Sequence, residues 1–315
     1  MSQSSSEVLQ SRPLEPVQCP CCQSEQTRLS FEKTGVDYYE CRRCGATFVF
    51  PRPDDKTLQQ HYEDYGRRYF SLEGVKNFLL SADHYRREVG LLKRTTKAGR
   101  LLDVGCSVGG FVKAAAELGY EAEGIDISAA SVAVGQKAGL KIRAGDFLRC
   151  DFPNKFDVIT LWATLEHLPE PNRYLVRARE LLQPGGVLLA SVPNYSGITQ
   201  RLIGRKNRYV GIDHLNYWTA RGFSAYLRRF DFEVLETLTF GFNPVIVLKD
   251  ALNRGQGCDC EVMAAELMSS ARWRIGWVGR AHRIVGGLLN VGLLGDTVAV
   301  SARYGGLDRS SATTC

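Results

Sequence analysis

The sequence predicts an α/β fold, a doubly wound, mostly parallel sheet that is preceded by a small four-cysteine domain. Three observations lead to this prediction. Apolar strand-like segments alternate with helical segments from Arg100 to Val192, as in a sheet built from strand-helix-strand units. The first of these strands runs into a glycine-rich turn between Gly105 and Gly110. Two C-x2-C pairs stand near the N-terminus.

Length, charge and cysteine content narrow the class of protein. The 315 residues are enough for one large and one small domain. The net charge of +6 is modest and the basic residues are scattered, so the charge does not demand a nucleic-acid partner. No long apolar run and no apolar signal segment in Met1 to Ser11 are present, so we expect neither a membrane span nor secretion. Ten cysteines without a signal segment then indicate a reducing, cytoplasmic location.

The two cysteine pairs have the spacing of a tetrahedral zinc site. Cys19 and Cys22 form the first pair, and Cys41 and Cys44 follow after eighteen intervening residues that alternate like a hairpin. Cys21 is a spare thiol that could replace either ligand of the first pair. Four thiolate ligands leave no open coordination position, so the predicted zinc is structural rather than catalytic. Residues 17–50 are therefore predicted to form a zinc ribbon.

The first strand of the predicted sheet, Leu101 to Val104, ends in the glycine-rich turn, and a helix pattern from Val108 to Leu118 follows at once. Gly105 allows the backbone to turn tightly, and Gly109 lets the helix start close to a ligand over the strand ends. Such a turn is typical of a nucleotide-binding site.

Each of the next three strands also ends in a polar or aromatic residue. Asp126 ends the second strand at the spacing of a carboxylate that binds two ribose hydroxyls. The third strand, Leu140 to Ala144, leads to Asp146 and Phe147, and the fourth, Phe156 to Leu161, leads to Trp162. In an open parallel sheet these ends meet at the edge where ligands bind.

Asp103 precedes the first glycine of the turn. A pyrophosphate would be repelled by this carboxylate, whereas the ammonium group of an amino acid would be attracted to it. The predicted ligand is therefore an amino acid joined to a nucleoside.

On these residues the chain resembles the class I S-adenosylmethionine-dependent methyltransferases, whose first motif is D/E-x-G-x-G-x-G. The resemblance extends from about Gly99 to Glu236, includes the family's L-x-P-G-G turn at 182–186, and has a looser match at 295–303. It implies a seven-stranded, Rossmann-like sheet. Ser107 replaces the middle glycine and requires a slightly wider turn.

The resemblance also implies roles for the strand-end residues. Asp103 and Gly105 would lie under the methionine part, Asp126 would bind the ribose, Asp146 would meet the adenine amino group, and Phe147 would flank the ring. The predicted cofactor site consists of Asp103, Gly105, Cys106, Ser107, Gly109, Asp126, Ile127, Asp146, Phe147 and Trp162.

Two histidines are candidates for the base that accepts a proton from the methyl acceptor. His167 follows the fourth strand, and His214 stands in a long polar and aromatic loop expected above the methyl group. A histidine titrates near neutral pH, which suits proton removal. His214 is the preferred candidate, whereas a helix-start role for His167 is an equal alternative to catalysis.

The remaining segments complete the predicted organisation: a disordered N-terminus at 1–16, a helical lid or linker at 51–98, the catalytic domain at 99–306 and a flexible tail at 307–315. One of the tyrosines of this lid either contacts the methionine carboxylate of the cofactor or only packs against neighbouring side chains. Residues 240–294 form a helical insertion that the sheet does not require. Within it, the basic amphipathic segment 271–294 either packs on the sheet or contacts an anionic membrane.

The predicted function is methyl transfer from S-adenosylmethionine to oxygen of a small metabolite, sugar or polysaccharide precursor. Residues 161–164, after the fourth strand, read Leu-Trp-Ala-Thr and lack the N/D-P-P-Y/F motif of base N-methylation. An RNA methyltransferase that binds substrate through its zinc ribbon is the alternative. A non-catalytic zinc-ribbon interaction protein with a vestigial cofactor fold is a second alternative, against which the intact acidic residues argue.

Overall fold

The computed structural model describes residues 17–69, 73–81, 84–211, 213–242, 244–252 and 287–305. The predicted disordered N-terminus, the tail and most of the basic segment 271–294 lie outside the described residues. In chain order, the elements are β1 (Thr27–Lys33), β2 (Val36–Cys41), β3 (Thr47–Val49), α1 (Asp55–Tyr69), α2 (Glu73–Leu79), α3 (Arg86–Thr95), β4 (Arg100–Val104), α4 (Gly110–Glu117), β5 (Glu121–Asp126), α5 (Ala129–Lys137), β6 (Ile142–Ala144), β7 (Phe156–Trp162), α6 (Pro171–Leu181), β8 (Leu182–Pro193), α7 (Ile198–Ile203), β9 (Asn216–Tyr217), α8 (Ala220–Arg228), β10 (Phe232–Phe240), α9 (Pro244–Leu252) and β11 (Thr297–Tyr304).

The central sheet has seven strands in the order β10-β11-β8-β7-β4-β5-β6. Strands β4 to β8 run parallel, whereas β11 pairs antiparallel with both β8 and β10. The strand order reverses beside β4, and ligands bind at such reversals in open α/β sheets. The prediction of a doubly wound, mostly parallel, seven-stranded sheet is confirmed.

Each face of this sheet is covered by its own apolar core. Leu91 and Leu92 of α3 and Phe111 of α4 are buried on one face. Leu175 of α6, Phe223 of α8 and the ribbon cysteines belong to the core on the other face. The strands are apolar on both sides because both faces are covered.

Local backbone geometry shifts some element ends from their predicted positions. Helix α4 begins at Gly110 rather than at Val108, because Gly109 adopts a φ of +79° at its N-cap. Strand β6 is shorter than predicted, and β8 begins at Leu182, which pairs with Phe156 of β7. These differences leave the order of the elements unchanged.

The ribbon shares its sheet with a strand from the second half of the chain. Strands β1, β2 and β3 form an antiparallel meander, and β9 adds the fourth strand of this second sheet. Thr47 and Phe48 of β3 pair with Tyr217 and Asn216 of β9. The sheet therefore crosses the boundary that the sequence indicated between ribbon and catalytic domain.

Hydrogen bonds of Arg52 connect the end of the ribbon to the loop after β7. Its guanidinium donates to the Leu168 carbonyl at 3.2 Å, to the Pro169 carbonyl, and to Asn216 Oδ1 at 2.6 Å. Burial lowers the pKa of Arg52 to about 10, so the group stays charged at neutral pH. Charge-assisted bonds of this kind are stronger than neutral ones.

In the part of the chain that the structure describes, we find no helix that is long and apolar enough to span a bilayer.

We predict that Arg52→Met lowers the free energy of unfolding by about 2–4 kcal/mol, because Asn216 and two carbonyls lose their charged donor. Urea unfolding measures this change. Arg28→Met is the control, since Arg28 pairs with Glu40 at 2.7 Å but its side chain is 56% exposed, and such pairs contribute at most about 1 kcal/mol. Equal losses in the two variants would contradict the role of Arg52.

Candidate active site

A cleft of about 360 Å³ opens at the carboxyl ends of β4, β5 and β7. Its volume is in the usual range for small-molecule sites. The lining residues come from the glycine-rich turn, the strand ends, the lid and the loop before β9: His61, Tyr62, Val104, Gly105, Ser107, Ile125, Asp126, Ile127, Ser128, Ser131, Gly145, Asp146, Phe147, Ala163, Thr164, His167, Leu168, Tyr174, Asp213 and His214.

The turn after β4 is left-handed at three positions. Gly105, Ser107 and Gly109 have φ values of +76°, +50° and +79°. A Cβ on Gly105 would lie 2.7 Å from Thr164 Oγ1, so the first glycine is required by space as well as by φ. Ser107 adopts the backbone conformation that the family's middle glycine would supply, and its N–H donates to Asp126 Oδ2 at 2.7 Å.

Asp126 lies at the cleft wall, with its carboxylate bound to two backbone N–H groups. These are the N–H of Ser107 at 2.7 Å and that of Ser128 at 2.8 Å. Burial raises the pKa of Asp126, and the two N–H bonds oppose this rise. The carboxylate is therefore oriented before any ligand binds, and neighbouring Ile127 is 40% exposed beside it.

Asp146 and Phe147 border the cleft beyond β6. Asp146 Oδ1 accepts the Leu148 N–H at 2.9 Å, and Asp146 Oδ2 lies 3.2 Å from Arg149 Nε. Phe147 is buried, with its ring centroid 5.6 Å from that of Tyr174. The two residues offer a carboxylate and an apolar wall on the same side of the cleft.

Four residues of the predicted cofactor site lie behind the cleft rather than in its lining. Asp103 is 3% exposed, its Oδ1 accepts the Thr160 hydroxyl at 2.6 Å, and burial raises its pKa to about 7. Cys106 is buried against Gly124, where a Cβ would lie 2.7 Å from its sulfur. A Cβ on Gly109 would meet the Leu140 side chain at 3.0 Å. These contacts position the turn and its helix.

Trp162, the fourth of these residues, faces the other side of the sheet. Its ring lies 5.3 Å from that of Phe111, edge to face, and it borders a second cleft of about 350 Å³ between α3 and β10. Trp162 continues strand β7, so its side chain points away from the face that Leu161 covers.

His167 and His214 lie side by side in the first cleft. His167 also contacts the carbonyl of Asp213, the residue before His214, which is 46 positions later in the sequence. The ring centroids are 4.6 Å apart at an angle of 82°. His167 Nδ1 lies 2.7 Å from the Asp213 carbonyl oxygen. Burial lowers the pKa of both rings, more strongly for His214, where the neighbouring His167 adds to the effect. Both histidines are therefore neutral near pH 7.

Glu166 completes this group, although its sequence pattern did not mark it as a site residue. Its side chain is 1% exposed, and its Oε1 lies 4.0 Å from His167 Nε2. Neither carboxylate oxygen has a hydrogen-bond partner in the described part of the chain. Burial raises the pKa of Glu166 to about 8. The available signal was a charged residue between Leu165 and His167, directly after a buried strand.

Helix α1, in the predicted lid or linker, contributes Tyr62 to the cleft. Its ring centroid lies 6.0 Å from that of His167, and its hydroxyl is buried without a partner among the described residues. Glu63 of the same helix accepts the Ala129 N–H at 2.8 Å, which fixes α1 against the start of α5. Contact between a lid tyrosine and the methionine carboxylate stays a prediction.

The ribbon brings four sulfur atoms together. Cys19 and Cys44 are 3.6 Å apart, Cys22 and Cys41 are 3.4 Å apart, and all four sulfurs lie within 4.8 Å of one another. Cys21 is buried but is not in this group, and its carbonyl accepts from Arg229 at 2.9 Å. The arrangement suits a metal ion with four thiolate ligands.

Comparison with known proteins gives a family match over the cleft-forming part of the chain. The model of a family described as "Methyltransferase domain" matches residues 80–237, which is half of the chain. This range contains β4 to β9, and with them the glycine-rich turn and both histidines.

Curated relatives match over part of the chain. The ubiquinone biosynthesis O-methyltransferase of Xanthomonas euvesicatoria pv. vesicatoria is 28% identical over 135 residues, which are 40% of this chain and 56% of that protein. The enzyme of the same name from Pseudomonas entomophila is 32% identical over 111 residues, 32% of this chain and 48% of that protein. The chain thus spans about half the length of these relatives.

Among solved structures, a SAM-dependent methyltransferase from Thermotoga maritima aligns with 78% of this chain and 99% of its own, at 16% identity and a TM-score of 0.48.

We predict that Gly105→Ala weakens S-adenosylmethionine binding at least tenfold and lowers stability by more than its backbone cost, because the new methyl group collides with Thr164. Gly185→Ala is the matched control, since Gly185 has a φ of +78° and no neighbouring atom within 4 Å of the place its Cβ would take. The control should lose only about 1–2 kcal/mol. Calorimetry and urea unfolding measure both quantities, and equal effects in the two variants would refute the steric argument.

We also predict a pH effect from Asp103. Since its pKa rises from 3.8 to about 7 on folding, the native state binds this proton more tightly than the unfolded chain. The resulting stability is present below pH 4 and is lost as the pH rises through 7. Between pH 5 and 7.5, the unfolding free energy of the wild type should fall relative to Asp103→Asn by roughly 1–3 kcal/mol. Parallel pH profiles in urea unfolding would contradict this prediction.

Proposed function

The chain belongs to the methyltransferase-domain family, and from this membership we propose that it transfers a methyl group from S-adenosylmethionine to an oxygen atom of a small metabolite, sugar or polysaccharide precursor. One observation carries the proposal. The carboxylates of Asp126 and Asp146 and the imidazoles of His167 and His214 line a single cleft.

The two sides of this cleft suit the two reactants. Asp126 is oriented to accept the ribose hydroxyls, and Asp146 and Phe147 lie where the adenine would bind. The histidines then face the acceptor, whose hydroxyl oxygen attacks the methyl carbon. The carbon–sulfur bond breaks as the new carbon–oxygen bond forms, and the hydroxyl proton leaves to a base.

The histidines can serve as that base because they are neutral. A backbone carbonyl only accepts hydrogen bonds, so the 2.7 Å contact with Asp213 fixes the proton of His167 on Nδ1. Nε2 therefore presents a lone pair. His214 is the preferred base, since it stands in the loop that covers the cleft.

The names of the curated relatives support oxygen as the acceptor atom. Both are called O-methyltransferases. They do not identify the acceptor of this chain.

An RNA acceptor receives less support from the ribbon. Lys33 donates to the carbonyls of Asn207 at 3.2 Å and Val210 at 2.5 Å, and Arg28 pairs with Glu40. Two of the four ribbon cations are thus engaged within the protein, which leaves the exposed Arg42 and Arg43 for contact with phosphates.

We propose zinc as the metal of the ribbon, bound by Cys19, Cys22, Cys41 and Cys44. Each cysteine pair is followed by a residue in the left-handed region, Gln23 at +59° and Gly45 at +72°. The two pairs thus form equivalent tight turns whose thiols converge. With four thiolates the ion would be structural and would contribute to the folding of the ribbon.

The cofactor assignment predicts that S-adenosylmethionine binds the wild type and that Asp126→Asn weakens binding at least tenfold. Asp151→Asn, an exposed carboxylate outside the cleft, should leave the affinity unchanged. Isothermal calorimetry measures both affinities.

In a screen of hydroxylated acceptors with radiolabelled methyl donor, His214→Gln should lose at least 100-fold in turnover and keep its cofactor affinity. If the wild-type protein does not bind S-adenosylmethionine, the proposed methyltransferase function is refuted.

The ribbon assignment predicts that Cys22→Ser lowers the zinc content by one ion per chain. Cys21→Ser is the control, because the adjacent thiol lies outside the sulfur group, and it should retain the wild-type content. Metal analysis of chelator-free preparations measures both. Loss of zinc in Cys21→Ser but not in Cys22→Ser would show that Cys21, not Cys22, is the ligand. Absence of zinc from the wild type would refute the zinc site.

A further inference from the structure

Glu166, His167 and His214 form a compact group beside the acceptor side of the cleft. One ligand atom from each residue lies within 4.8 Å of the others. A carboxylate and two imidazoles are an established ligand set for divalent transition metals. The group is separate from the ribbon cysteines and uses none of them.

The hydrogen bonds of the two histidines direct their lone pairs toward this group. The Asp213 carbonyl holds the proton of His167 on Nδ1, so the lone pair is on Nε2, 4.0 Å from Glu166 Oε1. The Tyr209 carbonyl bonds to the His214 ring, and His214 Nδ1 has no partner in the described structure. A lone pair on the unpartnered His214 Nδ1 would therefore be available to a metal ion. Carbonyl acceptors fix the tautomers of metal-binding histidines in the same way.

The buried carboxylate of Glu166 is a second observation that points to a bound cation. Its side chain is 1% exposed, yet both carboxylate oxygens lack a hydrogen-bond partner in the described structure. An ionised carboxylate that is buried without partners is costly, and a bound cation removes that cost. When Glu166 is ionised and both rings are neutral, the three residues offer acceptors but no donor to one another.

We infer that Glu166, His167 and His214 bind one divalent first-row transition-metal ion, in addition to the ribbon metal. Imidazole ligands suit Zn²⁺, Fe²⁺ and Ni²⁺ better than Mg²⁺ and Ca²⁺, and the Glu166 carboxylate also suits Mn²⁺. Three protein ligands leave coordination positions open, and His167 and His214 both line the cleft. The open positions therefore face the cleft.

The consequence for the acceptor rests on the proposed function. A hydroxyl oxygen bound to the ion would lose its proton more readily than in water, because the cation stabilises the alkoxide. The site then selects acceptors that present a metal-binding oxygen next to the methylated one, such as vicinal diols. With the ion bound, His214 would be a ligand, and this role would replace the role of base that is proposed above for the reaction without the ion.

The test uses Mn²⁺ as the probe and full-length protein with its ribbon zinc retained, in the absence of methyl donor and acceptor. Mn²⁺ binding is followed by loss of the free-ion signal in electron paramagnetic resonance. We expect one saturable site per chain that Zn²⁺ displaces, in line with the higher affinity of N/O sites for zinc. Glu166→Gln and His214→Gln should each weaken Mn²⁺ binding at least tenfold.

Glu170→Gln is the matched control. Glu170 lies four residues after Glu166, and its exposed carboxylate pairs with Arg173. It should leave Mn²⁺ binding unchanged. Thermal unfolding checks that each variant folds, and if Glu166→Gln does not, His214→Gln alone decides. The inference is overturned if the wild type shows no saturable Mn²⁺ site, or if a folded Glu166→Gln or His214→Gln protein binds Mn²⁺ as the wild type does.

These outcomes are independent of the proposed function. A protein that binds Mn²⁺ at these residues without binding S-adenosylmethionine keeps the metal site and loses the proposed function. A protein that binds the cofactor and transfers methyl groups with no Mn²⁺ site keeps the function and loses the metal site.

Discussion

Pairing between β3 of the ribbon and the two-residue strand β9 is the constraint on which the acceptor side of the cleft depends. The Val49 N–H donates to the Leu215 carbonyl at 3.0 Å, and the Leu215 N–H donates to the Glu166 carbonyl at 2.6 Å. Asn216, 1% exposed, donates to the carbonyls of Leu165 and Leu168 and accepts from Arg52. The ribbon thereby holds the loop that carries His214 against the loop that carries His167.

The two sides of the cleft are built differently. The proposed cofactor side is local: the turn after β4 is joined to the end of β5 by the Gly105 and Cys106 N–H groups, which donate to the Ile125 carbonyl, and by the Ser107 N–H, which donates to Asp126. The acceptor side is assembled from the lid, the loop after β7 and the loop before β9. A short segment with few bonds of its own gains order from such long-range pairing, which gives the ribbon a role in the cleft beyond the proposed metal binding.

This difference explains what the sequence could predict. The alternation of strands and helices, the glycine-rich turn and the acidic strand ends follow from periodicity and spacing, and the seven-stranded form of the sheet follows from the family resemblance. The sequence indicated a slightly wider turn at Ser107, and the structure gives this residue a left-handed φ of +50°. The grouping of Glu166 with His214 is not readable, because it depends on β3 pairing with β9 across the chain, and no local pattern encodes that register. The placement of Trp162 behind the cleft likewise follows from the side of β7 it occupies.

Hydrogen exchange of the segment 213–219 tests most directly whether the ribbon holds the acceptor side together. Mass spectrometry would compare Cys22→Ser, which removes a sulfur from the ribbon group, with Cys21→Ser, which does not. We predict at least tenfold faster exchange in this segment of Cys22→Ser, with the core strand at 100–104 still protected in both proteins. Equal exchange of 213–219 in the two variants, with metal lost from Cys22→Ser, would contradict the account.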